Sequence, residues 1–246
     1  KDAVTGVLMP SRYSSIGSVE DAEQLAANLG IATVTLPIEH MHAAFEQIFR
    51  TSCQESTGLA EENAQARIRG LLLMALSNQQ GSLLLATGNK SELAVGYSTL
   101  YGDMAGAVSV IGDIYKTDVW SMSKLLNHTH SLFGFSSAPI PQSSITKPPT
   151  AELRPNQLDQ DSLPSYDELD AVLRLHIELD LGVDEIEEEL DCTREFISNI
   201  IHMVDIAQFK RDQASVIFKT SPGMFGRGRR MPIVMKRNWA TSREIT

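Results

Sequence analysis

The run from Leu83 to Ala107, LLLATGNKSELAVGYSTLYGDMAGA, constrains the fold most strongly. Its apolar start, Leu83 to Ala86, reads as a short buried parallel strand. The strand breaks at Thr87-Gly88-Asn89, and Lys90 to Val95 reads as the start of a helix. A strand that ends in a polar, glycine-containing turn and passes into a helix is where open α/β sheets bind ligands. The turn offers a hydroxyl, an amide and an ammonium, with the Glu92 carboxylate one helical turn on. Together these groups suit a phosphate and a divalent metal.

The segments before this run repeat the same alternation. Ala3 to Met9 reads as a strand. Ser18 to Leu29 reads as a helix, capped by Ser18 and ended by Gly30. Ile31 to Leu36 is a second, β-branched strand, and His40 to Phe49 a second helix. Leu59 to Leu76 is a long helix whose later turns (GLLLMALS) are apolar on nearly every side, which predicts deep burial. This order implies a parallel sheet with right-handed crossovers. After Ala107 the pattern turns helical, with helices over Ile114 to Phe133, Tyr166 to Asp180, Val183 to Leu190 and Thr193 to Arg211. Ser136 to Ser165 is rich in Pro, Ser, Gln and Asn, which reads as a functional loop. The expected organisation is an α/β core over residues 1–135, followed by a loop and helical part over 136–246.

Composition excludes several classes. A formal charge of −10 argues against general nucleic-acid binding. No apolar run approaches the roughly 20 residues that span a bilayer, and Ala3 to Met9 is too short for a signal peptide. Cys53 and Cys192 match no metal spacing, which points to inert thiols in a reduced, cytoplasmic setting. Lys1-Asp2 leads directly into an apolar strand, so the chain is expected to be a fragment whose first strand lies upstream.

Several constellations carry chemistry, each beside a plainer reading. Thr87, Asn89 and Glu92 suit a metal and phosphate site, or equally a helix cap with a solvent-facing Glu. Asn63 and Arg67, four apart on one helix face, suit a ligand amide or carboxylate, or a surface pair with Glu61 and Glu62. Lys147 and Thr150 flank Pro148-Pro149, a stiff loop suited to a polyphosphate, or a helix start capped by Thr150. Lys116 opens a helix, where the dipole disfavours a cation, and so suits an anionic ligand or simply solvent. Lys210 and Arg211 sit where the dipole favours cations, and the arginines between Gly226 and Arg230 form a weak basic run.

The order of the motifs resembles one family. ENAQARIRG, LLLATGNKSELAVGYSTLYGDMAG, IGDIYKTDVW, SITKPPTAELRPNQLDQDSLPSYDELD, QFKR and FGRGRRMPI are similar, over essentially the whole chain, to the synthetase domain of glutamine-dependent NAD⁺ synthetases. The resemblance implies an adenine nucleotide α-hydrolase-like α/β fold. It implies ATP-dependent amidation of deamido-NAD through an adenylated carboxylate, with ammonia supplied by a glutaminase domain. It implies Mg²⁺ held by Glu92, ATP contacts from Thr87, Lys116, Lys147 and Thr150, and deamido-NAD contacts from Asn63, Arg67, Asp103 and Lys210. No protein nucleophile is implied, because ammonia attacks. A homo-oligomer is expected. Leu100 and Ala107 stand where ammonia-dependent relatives carry a Lys and an Asp. A Ser-Gly-Gly-x-Asp-Ser phosphate loop and a nitrilase-like domain with a Cys-Glu-Lys site are expected upstream, so this chain alone is expected to turn over negligibly. The rivals are another ATP-pyrophosphatase amidotransferase, such as a GMP synthetase relative, and a non-catalytic assembly surface.

Overall fold

The computed structural model describes residues 1–52, 58–226, 228 and 229. Strand β1 (Thr5–Leu8), helix α1 (Ile16–Leu29) and strand β2 (Ala32–Thr35) form a β-α-β unit. β1 and β2 pair in parallel, Thr5 opposite Ala32 and Leu8 opposite Thr35. Helices α2 (Glu39–Ser52) and α3 (Leu59–Gln80) follow, then β3 (Leu85–Ala86), α4 (Lys90–Val95) and β4 (Val108–Ser109). The remaining helices are α5 (Lys116–His128), α6 (Gln142–Thr146), α7 (Tyr166–Glu178), α8 (Val183–Glu189), α9 (Arg194–Ile206) and α10 (Gln208–Arg211), before β5 (Val216–Ile217).

The parallel α/β reading holds, but the strands divide differently from the expectation. Among the described residues they form two sheets, β1-β2 and β3-β4-β5, every pair parallel. No ladder joins β1 to β3. Met9 and Leu85 instead line one cavity between them. Leu83 and Leu85 are therefore exposed, and only Ala86 of the expected buried strand is buried. The strands β4 and β5, two residues each, were not read from the sequence.

Helix boundaries moved where caps and breaks decide them. Ser15, not Ser18, caps α1: its hydroxyl accepts the Ser18 N–H, and Gly30 in the left-handed conformation closes the other end. The expected helix over 114–133 starts at Lys116 and ends at His128, and a 3₁₀ turn (His130–Phe133) follows. The expected helix over 193–211 breaks at Ala207 into α9 and α10. The deep burial expected of α3 is also corrected. Ala64, Gln65, Ala66, Ile68 and Gly70 in its first half are buried, whereas Leu71 and Met74 are exposed. An all-round apolar helix is covered only where neighbours reach it, and they reach the first turns. Cys192 packs half-buried against the core as a free thiol, while Cys53, Arg227 and Arg230 lie outside the described residues. Arg229 is tied to α7, donating to the His176 carbonyl at 3.0 Å.

The core sits in the helical half. Leu169, Val172, Leu173 and Ile177 of α7 face Ile197, Ile200, Ile201 and Val204 of α9, with Ile186 of α8 and Ala94 and Val95 of α4. Both helices bury positions spaced three and four apart, as a 3.6-residue period requires. Each fully buried Leu or Ile adds roughly 1.5–3 kcal/mol.

Within this core lies a buried ion pair. Lys90, grouped by sequence with the polar turn, points inward and is wholly buried. Its ammonium sits 3.1 Å from Asp113 Oδ1 and 3.0 Å from Glu178 Oε1, donates to Ser221 Oγ at 2.6 Å and lies over the Tyr115 ring. Asp113 also accepts the N–H groups of Thr220 and Ser221, both at 2.7 Å. Burial pushes the Asp113 carboxyl up, but these hydrogen bonds outweigh it and hold its pKa below the ordinary value. Lys90→Met strands two carboxylates without their cation. It is expected to lower the unfolding free energy in urea by about 3–5 kcal/mol. A loss under about 1 kcal/mol, the scale of an exposed pair, would contradict the assignment.

Candidate nucleotide site

A cavity of about 860 Å³ lies between the ends of β1 and β3, helices α3 and α4 and the loop around residues 144–159. Its volume is in the range of small-molecule sites. Thr87, Glu92, Lys116, Lys147, Thr150, Asn63, Asp103 and Lys210 all line it. Arg67 does not. It lines a smaller pocket of about 340 Å³ with Phe45 and Phe49, and its Nε donates to the Leu100 carbonyl at 3.2 Å. The guanidinium on the cavity wall is that of Arg69, which donates to the Met9 carbonyl at 3.1 Å and whose pKa burial lowers.

Glu92 serves two partners at once. Asn89 caps α4 by accepting the Glu92 N–H at 3.0 Å, and Glu92 Oε2 accepts the Asn89 N–H at 3.1 Å. The helix-cap reading therefore holds for one carboxylate oxygen. The other, Oε1, lies 3.2 Å from the Lys116 ammonium. Lys116 starts α5, whose own N-cap residue, Tyr115, makes no side-chain cap. The cap comes from other elements. Ser91 Oγ accepts the Lys116 N–H at 2.9 Å, and Asp170 Oδ2 accepts the Thr117 N–H at 2.9 Å and its hydroxyl at 2.8 Å. The buried Asp170 carboxylate offsets the positive helix end that would otherwise disfavour Lys116. Burial pushes the Asp170 carboxyl above its ordinary pKa, against the pull of the Ser91 and Thr117 hydrogen bonds. Behind Lys116 the wall is aromatic: its ammonium lies 5.3 Å from the Tyr166 ring, which meets Trp120 edge-on.

The opposite wall is a relay from α3 to the loop after α4. The Thr99 hydroxyl donates to Asn63 Oδ1 at 2.7 Å, and the Thr99 N–H donates to Asp103 Oδ1 at 2.7 Å. Among the described residues Glu62 pairs with Arg154 at 3.5 Å and not with Arg67. The loop packs backbone to backbone on α3. A Cβ on Gly70 would stand 2.5 Å from the Tyr101 carbonyl oxygen, and one on Gly102 would stand 2.9 Å from Ala66. Both positions need glycine for this approach. Lys210 closes the wall, donating to the Gly96 and Ser98 carbonyls at 2.6 and 2.7 Å. Burial lowers its pKa, which the Asp103 charge partly restores.

The proline loop completes the site. The Lys147 ammonium contacts Ser15 Oγ, Ser18 Oγ and Glu152 Oε1 at 2.9, 2.6 and 3.1 Å, pinning the loop to the start of α1. Thr150 caps no helix, which corrects the plainer reading of that residue. Its Oγ1 accepts the Glu152 N–H at 3.1 Å within a turn.

The Lys116, Lys147 and Lys210 ammonium groups and the Arg69 guanidinium thus line one cavity with five carboxylates, those of Asp21, Glu62, Glu92, Asp103 and Asp159, an arrangement suited to a polyphosphate carried with divalent cations. The sequence missed Arg69, whose signal was available: Leu59, Glu62, Ala66, Arg69 and Leu73 line the cavity at helical spacing along α3. Asp103 remains open to the cavity, but the protein crowded around it and the nearby Glu92 carboxylate push its pKa up to about 6, against the Thr99 N–H and Lys210. It should be protonated below that pH and charged above it. Carboxyl-carbon NMR is expected to give a midpoint near 6, and a midpoint near the ordinary Asp value of about 3.9 would contradict this environment.

The NAD synthase family model matches residues 1–214. The chain is 48% identical to the glutamine-dependent NAD(+) synthetase of Synechocystis sp. and 47% identical to that of Thermotoga maritima. Each alignment covers 95% of this chain but only 40% of the relative, so the chain spans well under half of those proteins. A glutamine-dependent NAD⁺ synthetase from Acinetobacter baumannii, solved with ADP, is 40% identical with a TM-score of 0.55 over 94% of this chain and 40% of that one. The fold is thus the adenine nucleotide α-hydrolase-like α/β fold that the motifs implied, and the chain belongs to the NAD synthase family.

Proposed function

We propose that this chain is the synthetase part of a glutamine-dependent NAD⁺ synthetase, converting deamido-NAD, ATP and ammonia to NAD⁺, AMP and pyrophosphate. The observation that carries the reading is the Glu92–Lys116 pair at the starts of α4 and α5, facing one nucleotide-sized cavity. In the first step a nicotinate carboxylate oxygen attacks the ATP α-phosphorus, and the bond to pyrophosphate breaks. In the second, ammonia attacks the acyl carbon, loses a proton, and AMP leaves.

The residues divide by position. Thr87, Lys116, Lys147 and Thr150 hold the ATP phosphates, and the ammonium groups stabilise charge developing on the departing pyrophosphate. Asn63, Asp103 and Lys210 hold deamido-NAD, and Arg69 replaces Arg67 as the guanidinium of this set. Lys116, Lys147 and Lys210 already rest on protein acceptors, so ligand oxygens exchange with those partners rather than meeting bare charges. Glu92 Oε1 suits Mg²⁺, which takes one or two carboxylates beside phosphate oxygens and water; the chemistry the ion supplies there is charge neutralisation. No helix among the described residues is long and apolar enough to cross a membrane, and we place the reaction in the cytoplasm.

The test uses the protein that carries this chain, with ATP, Mg²⁺, deamido-NAD and ammonium. NAD⁺, AMP and pyrophosphate should appear in equal amounts. Release of ADP and phosphate, or amidation of xanthosine monophosphate instead, would overturn the reading. Lys116→Met should lower kcat/KM for ATP by about 100-fold, the scale of one lost transition-state donor. An unchanged value would remove Lys116 from the site.

A further inference from the structure

Away from this cavity, α2 and α3 bring together a second set of polar groups. His42 of α2 is wholly buried, and neither ring nitrogen has a hydrogen-bond partner among the described residues. Buried polar groups are normally paired, and an orphaned one costs about 1–3 kcal/mol. Its Nε2 points between two half-buried carboxylates, 3.9 Å from Glu46 Oε1 and 3.9 Å from Glu61 Oε1. That distance is too long for a hydrogen bond. It is short enough for the three atoms to share one ion, since Zn²⁺ takes a His nitrogen and carboxylate oxygens at about 2.0–2.2 Å each. Among the described residues this is the one group of three or more His, Cys, Asp or Glu side chains close enough to share a cation.

The surroundings complete such a site. The Tyr13 hydroxyl donates to Glu61 Oε1 at 3.1 Å, and Arg12 donates to both oxygens of Glu46 at 3.2 and 3.1 Å. Hydrogen bonds of this kind orient metal ligands from behind. Arg12 does not use up the negative charge, because Glu39 also holds it at 2.6 Å. Three carboxylates against one guanidinium leave an excess that a divalent cation balances. One imidazole and two carboxylates favour Zn²⁺ or Co²⁺ over ions that prefer oxygen alone.

We propose that His42, Glu46 and Glu61 form a site for a divalent transition metal, Zn²⁺ by donor set, that clamps the middle of α2 to the first turn of α3. The site is independent of the nucleotide cavity, although α3 carries Asn63 one residue pair beyond Glu61.

Metal-free protein is dialysed against Co²⁺ and its visible d–d absorption recorded, then Zn²⁺ is added. The expected result is one equivalent of Co²⁺ with four- or five-coordinate bands, displaced by Zn²⁺. Glu61→Gln and Glu46→Gln should each weaken binding by ~10-fold or more. Glu46 lies within α2, so its variant serves if Glu61→Gln fails to fold. Absence of bands and of retained Zn²⁺ in the unsubstituted protein would overturn the proposal, and an imidazolium signal for His42 by NMR would show that a proton bridges the carboxylates instead. Bands that persist unchanged in a folded carboxylate variant would also overturn it, by placing the metal elsewhere.

Discussion

The buried pair of Lys90 and Asp113 is the interaction on which the geometry of the candidate site depends. Taking two charges out of water costs several kcal/mol per ion, which the hydrogen bonds from the Lys90 ammonium and those to both Asp113 oxygens offset. Lys90 begins α4, Asp113 precedes α5, Glu178 ends α7, and Thr220 and Ser221 follow β5. One ammonium thus ties together four parts of the chain that sequence separates widely. Glu92 and Lys116 lie two and three residues beyond the two charges of this pair. Their pairing on the cavity wall follows from where the buried pair fixes the starts of α4 and α5.

A second set of contacts fixes the other end of α4. Arg211 is buried and donates to the Ala94 carbonyl of α4 and to the Val204 carbonyl of α9. Its guanidinium lies over the Phe225 ring, and burial, with the nearby Arg229 charge, lowers its pKa to about 10 against the pull of Asp205 and Asp212. Helix ends leave carbonyls without intrahelical partners, and here guanidinium and ammonium groups from α10 serve them, Arg211 at Ala94 and Lys210 at Gly96. Lys210 was read from the sequence as a cation complementing its own helix dipole. It instead complements the end of a different helix, on the cavity side, where a ligand can compete for it.

Much of the β-α order was legible because each element carried its own local signal. The Thr87-Gly88-Asn89 turn, the Asn89–Glu92 capping box and the 3.6-residue pattern of α7 and α9 are properties of neighbouring residues. What escaped the sequence is tertiary. A two-residue strand such as Val108–Ser109 has no periodicity to detect. The inward turn of Lys90 is decided by Asp113 and Glu178, and the cap of α5 by Asp170, all far away in sequence. Arg69, unlike Arg67, falls on the helical spacing of Glu62, Ala66 and Leu73, but which face of α3 meets the cavity is set by tertiary packing. The position of His42 between Glu46 and Glu61 likewise needs the α2–α3 contact, of which spacing shows only the i, i+4 half.

In the proposed reaction one cavity holds both nucleotides, phosphates against Lys116 and nicotinate against Asn63 and Asp103. Its most direct test is a crystal structure of the protein carrying this chain with a non-hydrolysable ATP analogue and deamido-NAD bound. The phosphates should lie between Thr87, Lys116 and Thr150, with the Lys116 ammonium moved from Glu92 onto a phosphate oxygen. Phosphates bound outside this cavity, or a Lys116–Glu92 pair left intact beside a bound nucleotide, would contradict it.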